Sequence, residues 1–113
     1  MQLEIDVANR DGHTILMPRG EVDLATNSRL REVINDLVVG GDVDLVVDLT
    51  GVTFLDSTGL GALIGARRKT HAFKGSFALV CNDDQLLRLF QITGLDKVFE
   101  IHDSQDAALP AAS

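Results

Sequence analysis

The sequence contains no tryptophan and no tyrosine, and its 4% aromatic content is all phenylalanine. Aromatic platforms for stacking single-stranded bases are therefore scarce. It has one cysteine, Cys81, so an internal disulfide is excluded. Cys81 ends the apolar run SFALVC with no histidine or lysine near it in sequence, and reads as a small buried hydrophobe, not as a reactive thiol. No apolar run reaches the roughly 18 residues of a membrane-spanning helix. The opening MQLEIDV lacks the features of a signal peptide, so a cytoplasmic location without membrane association is expected. Basic residues are also few, 10 against 17 acidic ones, for a formal charge of −7. Such a surface repels nucleic acid and suits a protein partner with a basic rim, although acidity also serves solubility alone.

The 113 residues are 45% hydrophobic and 24% charged, the composition of one globular domain with a modest core. Little room is left for a deep substrate cleft. LEIDVANRDGHTILMPRGEV reads as two strands around an Asp11-Gly12 turn, with Pro18 placing the second strand near an edge or at a bulge. In the following segment Leu30, Val33, Ile34, Leu37 and Val38 keep a helical spacing, and Gly40-Gly41 ends it. Residues 43–49 are a buried strand, and TGVTFL is a bent segment leading to a second helix from about Ser57 to His71. Then come a strand at 76–81, a helix capped by Asp83 or Asp84 and stopped by Gly94, a strand KVFEI, and a short helix capped by Ser104. PAAS, 110–113, reads as a frayed tail. Strand–helix alternation from residue 43 argues an α/β domain with parallel pairing, and the N-terminal hairpin makes the sheet mixed.

In an open α/β sheet, sites form outside the carboxyl ends of the strands. That rule gathers Asp23, Ser57 and Asn82 along one edge, with Asp23 and Ser57 expected within about 15 Å of each other. The stretch FLDSTGLG, 54–61, has a crowded composition. Asp56, Ser57 and Thr58 are all good helix caps, and two glycines follow where the first helical turn should be. Each glycine costs about 1 kcal/mol relative to alanine inside a helix. Gly61 and Gly65 share a helix face, where small residues allow either close packing within the domain or a smooth surface for a partner. Ser57 has two readings as well. It caps the helix, or it accepts a phosphate, whose charge of about −1.5 to −2 the helix start tolerates but a docked partner does not.

Catalytic patterns fit poorly. His13 lies in the hairpin, His71 at the far end of the second helix and His102 after the last strand, so no base is placed for a serine nucleophile, His102 being the nearest exception. LDSTG lacks the first glycine of a nucleophile elbow, and GLGALIG does not fit a dinucleotide fingerprint. No Walker lysine, HExxH or CxxC occurs, so neither an enzyme nor a metal or cofactor is expected.

GEVDLATNSRLREVI, VDLVVDLTGVTFLDSTGLGALIGARR and LVCNDDQLLRLFQITGLDKVFEIHDSQDAAL together resemble STAS-domain anti-sigma factor antagonists of the SpoIIAA and RsbV type. DSTGLG is the most specific segment and ITGLDKVFEI the next. The resemblance implies a single STAS domain over residues 1–113, with a four- to five-stranded mixed sheet and about four helices packed largely on one side. It implies partner switching. The unphosphorylated protein, a monomer or weak dimer, binds an anti-sigma factor that is also a serine kinase, and this releases a sigma factor. The kinase then phosphorylates the antagonist and a PP2C-type phosphatase reverses the step. Ser57 corresponds to the phospho-acceptor, Asp56 to its acidic neighbour and Asp23 to the aspartate of the GEVD motif. Thr58, Gly59 and Gly61 correspond to the surrounding contact surface. CNDD departs from the usual turn at its position, which leaves Asn82 without a role carried over. A STAS scaffold or small-ligand-sensing module without sigma-factor control is the alternative.

Overall fold

The computed structural model describes residues 3–109, so the tail at 110–113 lies outside the described residues. A hairpin opens the chain, with β1 (Leu3–Arg10) antiparallel to β2 (His13–Val22) over eight paired positions. Its turn places Asp11 at φ 51° and Gly12 at φ 81°, both left-handed, which is the conformation the Asp-Gly pair favours. Helix α1 (Asn27–Val39) follows, buries Leu30, Ile34 and Val38 at helical spacing, and ends at Gly40. Strands β3 (Asp44–Asp48) and β4 (Val52–Leu55) precede α2 (Ser57–Ala72) and β5 (Ser76–Val80). The chain closes with α3 (Asp84–Ile92), a 3-10 turn (Leu95–Lys97), β6 (Glu100–His102) and α4 (Gln105–Ala108). Asp83 caps α3 by accepting from the Leu86 amide, and Ser104 caps α4 by accepting from that of Ala107.

The sheet runs β1-β2-β3-β5-β6, with β4 added beside β2. All pairings except β1–β2 are parallel. Six strands are one more than the upper expectation, and the extra one is β4, read in sequence as a bent segment. It exists because β2 has two successive parallel partners. Residues 14–16 pair with β3, and residues 20–22 pair with β4. Pro18 lies in the gap between those pairings, where it has no N–H to withhold from a partner strand. It sits two residues before the register shift at Gly20/Glu21 and in the sheet interior, not at the edge that a proline suggested. Gly51 makes the changeover possible. Its carbonyl accepts from the Gly20 amide at 3.0 Å, and a Cβ there would stand 2.8 Å from the Arg19 side chain and 3.1 Å from the Pro18 carbonyl.

Alternation along the strands divides the core. Leu16, Leu45, Val47 and Leu79 face α1, α2 and α3 together with Leu30, Ile34, Leu63 and Phe90. Ile15, Val46, Ala78 and Val80 face the other way and are met by Ala108 and Leu109 at the end of α4. Each large aliphatic side chain buried there contributes about 1.5–3 kcal/mol. The helices therefore do pack largely on one side. The last strand starts later than KVFEI suggests. Phe99 is buried with ring centroids 5.9 Å from both Phe77 and Phe90, so the residues before it wind into the 3-10 turn to bring that ring inward. Cys81 is 2% exposed and packs in the main core, where desolvation pushes its thiol pKa up.

Candidate partner-binding site at the start of the second helix

The main-chain path after β2 sets up the site. Asp23 folds back on its own loop, its Oδ1 accepting from the amides of Ala25 at 3.0 Å and Thr26 at 3.1 Å. The hydroxyl of Thr26, a residue 6% exposed, donates to the Glu21 carbonyl at 2.7 Å and accepts from the Asp23 amide at 3.0 Å. Asn27 adds Nδ2 bonds to the carbonyls of Asp23 and Leu24. Four residues of turn are thus closed by side chains before α1 begins, as Asp, Thr and Asn do at such positions.

β4 arrives beside this turn and ends at Leu55. Asp56 keeps an extended backbone, φ −102° and ψ −173°, and its amide donates to the Val22 carbonyl at 3.3 Å. That geometry makes Asp56 the cap of α2. Oδ1 accepts from the Thr58 amide at 2.9 Å, the Gly59 amide at 3.1 Å and the Thr58 hydroxyl at 2.6 Å. Oδ2 accepts from the Leu24 amide at 3.2 Å. The Thr58 hydroxyl, then the Gly59 amide, hold the carboxyl below the usual carboxylate range.

Capping is therefore done by Asp56 and not by Ser57. Ser57 is the first helical residue. It is exposed, and its hydroxyl has no hydrogen-bond partner among the described residues. Thr58 is half-buried and turned to Asp56. Gly59 corrects another expectation, for it is buried and faces its own sheet. A Cβ there would stand 2.5 Å from Leu55 Cδ1 and 2.7 Å from the Val22 carbonyl oxygen, so its close backbone approach is to β2 and not to a partner. Gly61 is half-buried, and a Cβ on it would stand 3.3 Å from Arg31 Nη2; for Gly65 the nearest atom is Arg31 Nη1 at 3.6 Å. That glycine face is covered by a guanidinium from α1.

Asp23 and Ser57 are brought together as the strand-end rule required, each adjoining one end of the Leu24–Asp56 bond. Asn82 follows the carboxyl end of β5 on the same edge of the parallel strands, but β3 lies between β5 and β2, and Asn82 Nδ2 donates to the Asp103 carbonyl at 3.5 Å, apart from the Asp23–Ser57 cluster. The histidines lie elsewhere. His13 Nδ1 contacts the Asp11 carbonyl, His102 Nε2 the Glu100 carboxylate, and His71 is exposed in the last turn of α2.

Two apolar residues beside Asp56 escaped the sequence reading. Leu24 is 77% exposed and Phe54 is 48% exposed. Leu24 carried a usable signal. The inward stripe Leu30, Ile34, Val38 runs back to Thr26 and passes Leu24 by, so no helix face accounts for it. Together Leu24, Phe54, Asp56 and Ser57 form a mixed apolar and acidic surface around an ordered helix start. Among the described residues no helix is long and apolar enough to cross a membrane.

The pattern that defines the STAS domain matches residues 4–108. The anti-sigma-B factor antagonist of Listeria monocytogenes is 35% identical over 102 residues, covering 89% of this chain and 90% of its own length. The protein of the same description from Staphylococcus aureus is 29% identical over 106 residues, covering 94% of this chain and 98% of its own. Among solved structures, an anti-sigma factor antagonist from Mycobacterium paratuberculosis superposes with a TM-score of 0.86 at 30% identity, covering 98% of this chain and 94% of its own.

Proposed function

Since the chain belongs to the STAS domain family, we propose that it is an anti-sigma factor antagonist that docks an anti-sigma factor on the surface around the start of α2 and is switched off by a phosphate on Ser57. The observation that carries this reading is the division of labour between neighbours. Asp56 supplies the cap through Oδ1 and holds the Leu24 amide through Oδ2, so Ser57 stands at the helix start with an exposed hydroxyl that has no partner among the described residues. A phosphate can be added there without removing any hydrogen bond the domain depends on. The new charge meets the positive end of the helix dipole, which keeps the domain folded. It also stands beside Asp56 and the exposed Leu24 and Phe54, where it opposes a partner seated on that surface.

The partner in this reading is an anti-sigma factor with serine kinase activity, and a PP2C-type phosphatase restores the unmodified form. Asp23, Asp56, Ser57 and Thr58 border the contact, with Gly61 at its edge. Gly59 belongs to the scaffold beneath it. The test is to incubate the protein and its Ser57→Ala variant with ATP and candidate anti-sigma kinases, then read intact mass. One phosphate on the wild type and none on the variant is expected. A phosphate gain that persists in Ser57→Ala overturns the assignment.

A further inference from the structure

We propose that Arg31 is the residue of this domain that receives a phosphate on Ser57, closing a guanidinium–phosphate pair across the face of α2. The proposal rests on the reading of Ser57 as the modified residue, and it names the group that answers the modification. The starting observation is where the Arg31 fork lies. Its Nη2 is 3.3 Å from the place a Gly61 Cβ would occupy, and its Nη1 is 3.6 Å from that of Gly65. The two glycines make a bare strip of helix on which a planar group can rest. Gly61 is four residues after Ser57, so the two positions are neighbours on one face, about 5–6 Å apart at Cβ.

The fork is also uncommitted. Arg31 is exposed, and the one hydrogen bond it donates goes from Nε to Asn27 Oδ1 at 3.1 Å, leaving both Nη groups without an acceptor among the described residues. Among those residues no carboxylate is within ion-pair distance of it. The acids nearest in the site are engaged. Asp56 accepts from Thr58, Gly59 and Leu24, and Asp23 from Ala25 and Thr26. Glu32, the next residue of α1, lines the same groove between α1 and α2 as Arg31 without coming within ion-pair distance of it, and Lys69, also in that groove, donates to Asn35 Oδ1 at 2.6 Å. A phosphoryl group extends the reach of the serine side chain, its oxygens free to rotate towards the fork, and guanidinium meets phosphate in a two-pronged bond of about 2.7–2.9 Å. The Asn27 bond holds the stem, so the tip has a short way to move. Pairing withdraws a cation from the partner surface at the same time as it adds an anion, so the two states differ by more than the phosphate's own charge.

The experiment uses the full chain with phosphoserine installed at position 57 during synthesis, so no kinase is involved. Phosphorus NMR follows the second ionisation of that phosphate, ordinarily near pH 6, in the otherwise wild-type chain and in Arg31→Gln. The helix dipole and the charges of Asp23, Asp56 and Glu32 are the same in both, so the difference isolates Arg31. The expected result is a pKa lower by about half a unit or more when Arg31 is present. Equal values in the two chains overturn the proposal. A second readout needs no substitution. The Arg31 side-chain nitrogen resonances shift between the Ser57 and phosphoserine forms if the pair closes, and unchanged resonances overturn it. Failure of a kinase to modify Ser57 in the intact-mass experiment strikes the functional reading instead and leaves this measurement standing.

Discussion

Asp56 and Leu24 are 32 positions apart in sequence and are joined by a 3.2 Å hydrogen bond from the Leu24 amide to Asp56 Oδ2. Since Oδ1 of the same carboxylate caps α2, one side chain ties the turn after β2 to the start of the helix. Replacing it with alanine is expected to loosen both elements together. Hydrogen exchange at Leu24, Thr58 and Gly59 should accelerate in Asp56→Ala while Leu45 to Val47 in the central sheet stays protected. Unchanged exchange at Leu24 would separate the two halves of the site.

The same carboxylate gives a pH dependence with a fixed sign. Its folded pKa is lowered below the ordinary 3.8, first by the Thr58 hydroxyl and then by the Gly59 amide. Its contribution is therefore fully present above the unfolded value and lost as pH falls through the lower folded one. NMR shifts of the Leu24 and Gly59 amides are expected to titrate together with a midpoint below 3.8, and to lose that transition in Asp56→Asn. A midpoint above the ordinary value would contradict the capping geometry.

Ser57→Ala is expected to leave stability within about 0.5 kcal/mol of wild type in urea melts, because among the described residues its hydroxyl has no hydrogen-bond partner. Ser57→Asp is expected to fold equally well and to bind the anti-sigma factor more weakly by calorimetry. Equal affinities of Ser57→Asp and wild type would count against the charge mechanism.

The glycines of α2 should behave differently from one another. Gly59→Ala drives a methyl against Leu55 and the Val22 carbonyl, an overpacking that costs about 1–3 kcal/mol. Gly61→Ala meets only the flexible end of Arg31 and removes a helix-interior glycine, so it should be stabilising by up to about 1 kcal/mol. Equal losses in the two variants would place both glycines in the core.

Leu24 and Phe54 are exposed beside the site, so truncation should act on binding and spare folding. The double variant Leu24→Ala, Phe54→Ala is expected to lose about tenfold or more in affinity for the partner, as apolar anchors at an interface centre do. An unchanged Kd would move the docking surface elsewhere.

Much of this architecture was readable from pattern alone. Asp11-Gly12 announced the hairpin, the Leu30–Ile34–Val38 spacing announced α1, and the strand-end rule brought Asp23 beside Ser57. Three features were not readable, each for the same reason. Local chemistry allows Asp56 or Ser57 to cap α2, and the choice is made by the extended backbone of Asp56, which the exit of β4 and the Val22 carbonyl impose. Four residues of β4 carry no alternation long enough to tell a strand from a bend, and their pairing depends on where β3 leaves β2. Pro18 reads as a mark of either an edge or a bulge, and only the gap between two partner strands, two residues before the register shift, decides against the edge. In each case a contact distant in sequence decided between options that were locally equivalent.

The changeover of partners along β2 has a last consequence. Because β4 continues where β3 stops, the final residues of the central strand, the turn holding Asp23 and the first turn of α2 are hydrogen-bonded to one another before any partner arrives. A surface ordered in advance gives up little conformational entropy on association. What opposes association is then mainly the lost translational and rotational freedom and the desolvation of polar groups. A charge added at Ser57 is opposed by no slack in the surrounding chain, so its full electrostatic effect is felt as a change in the lifetime of the complex.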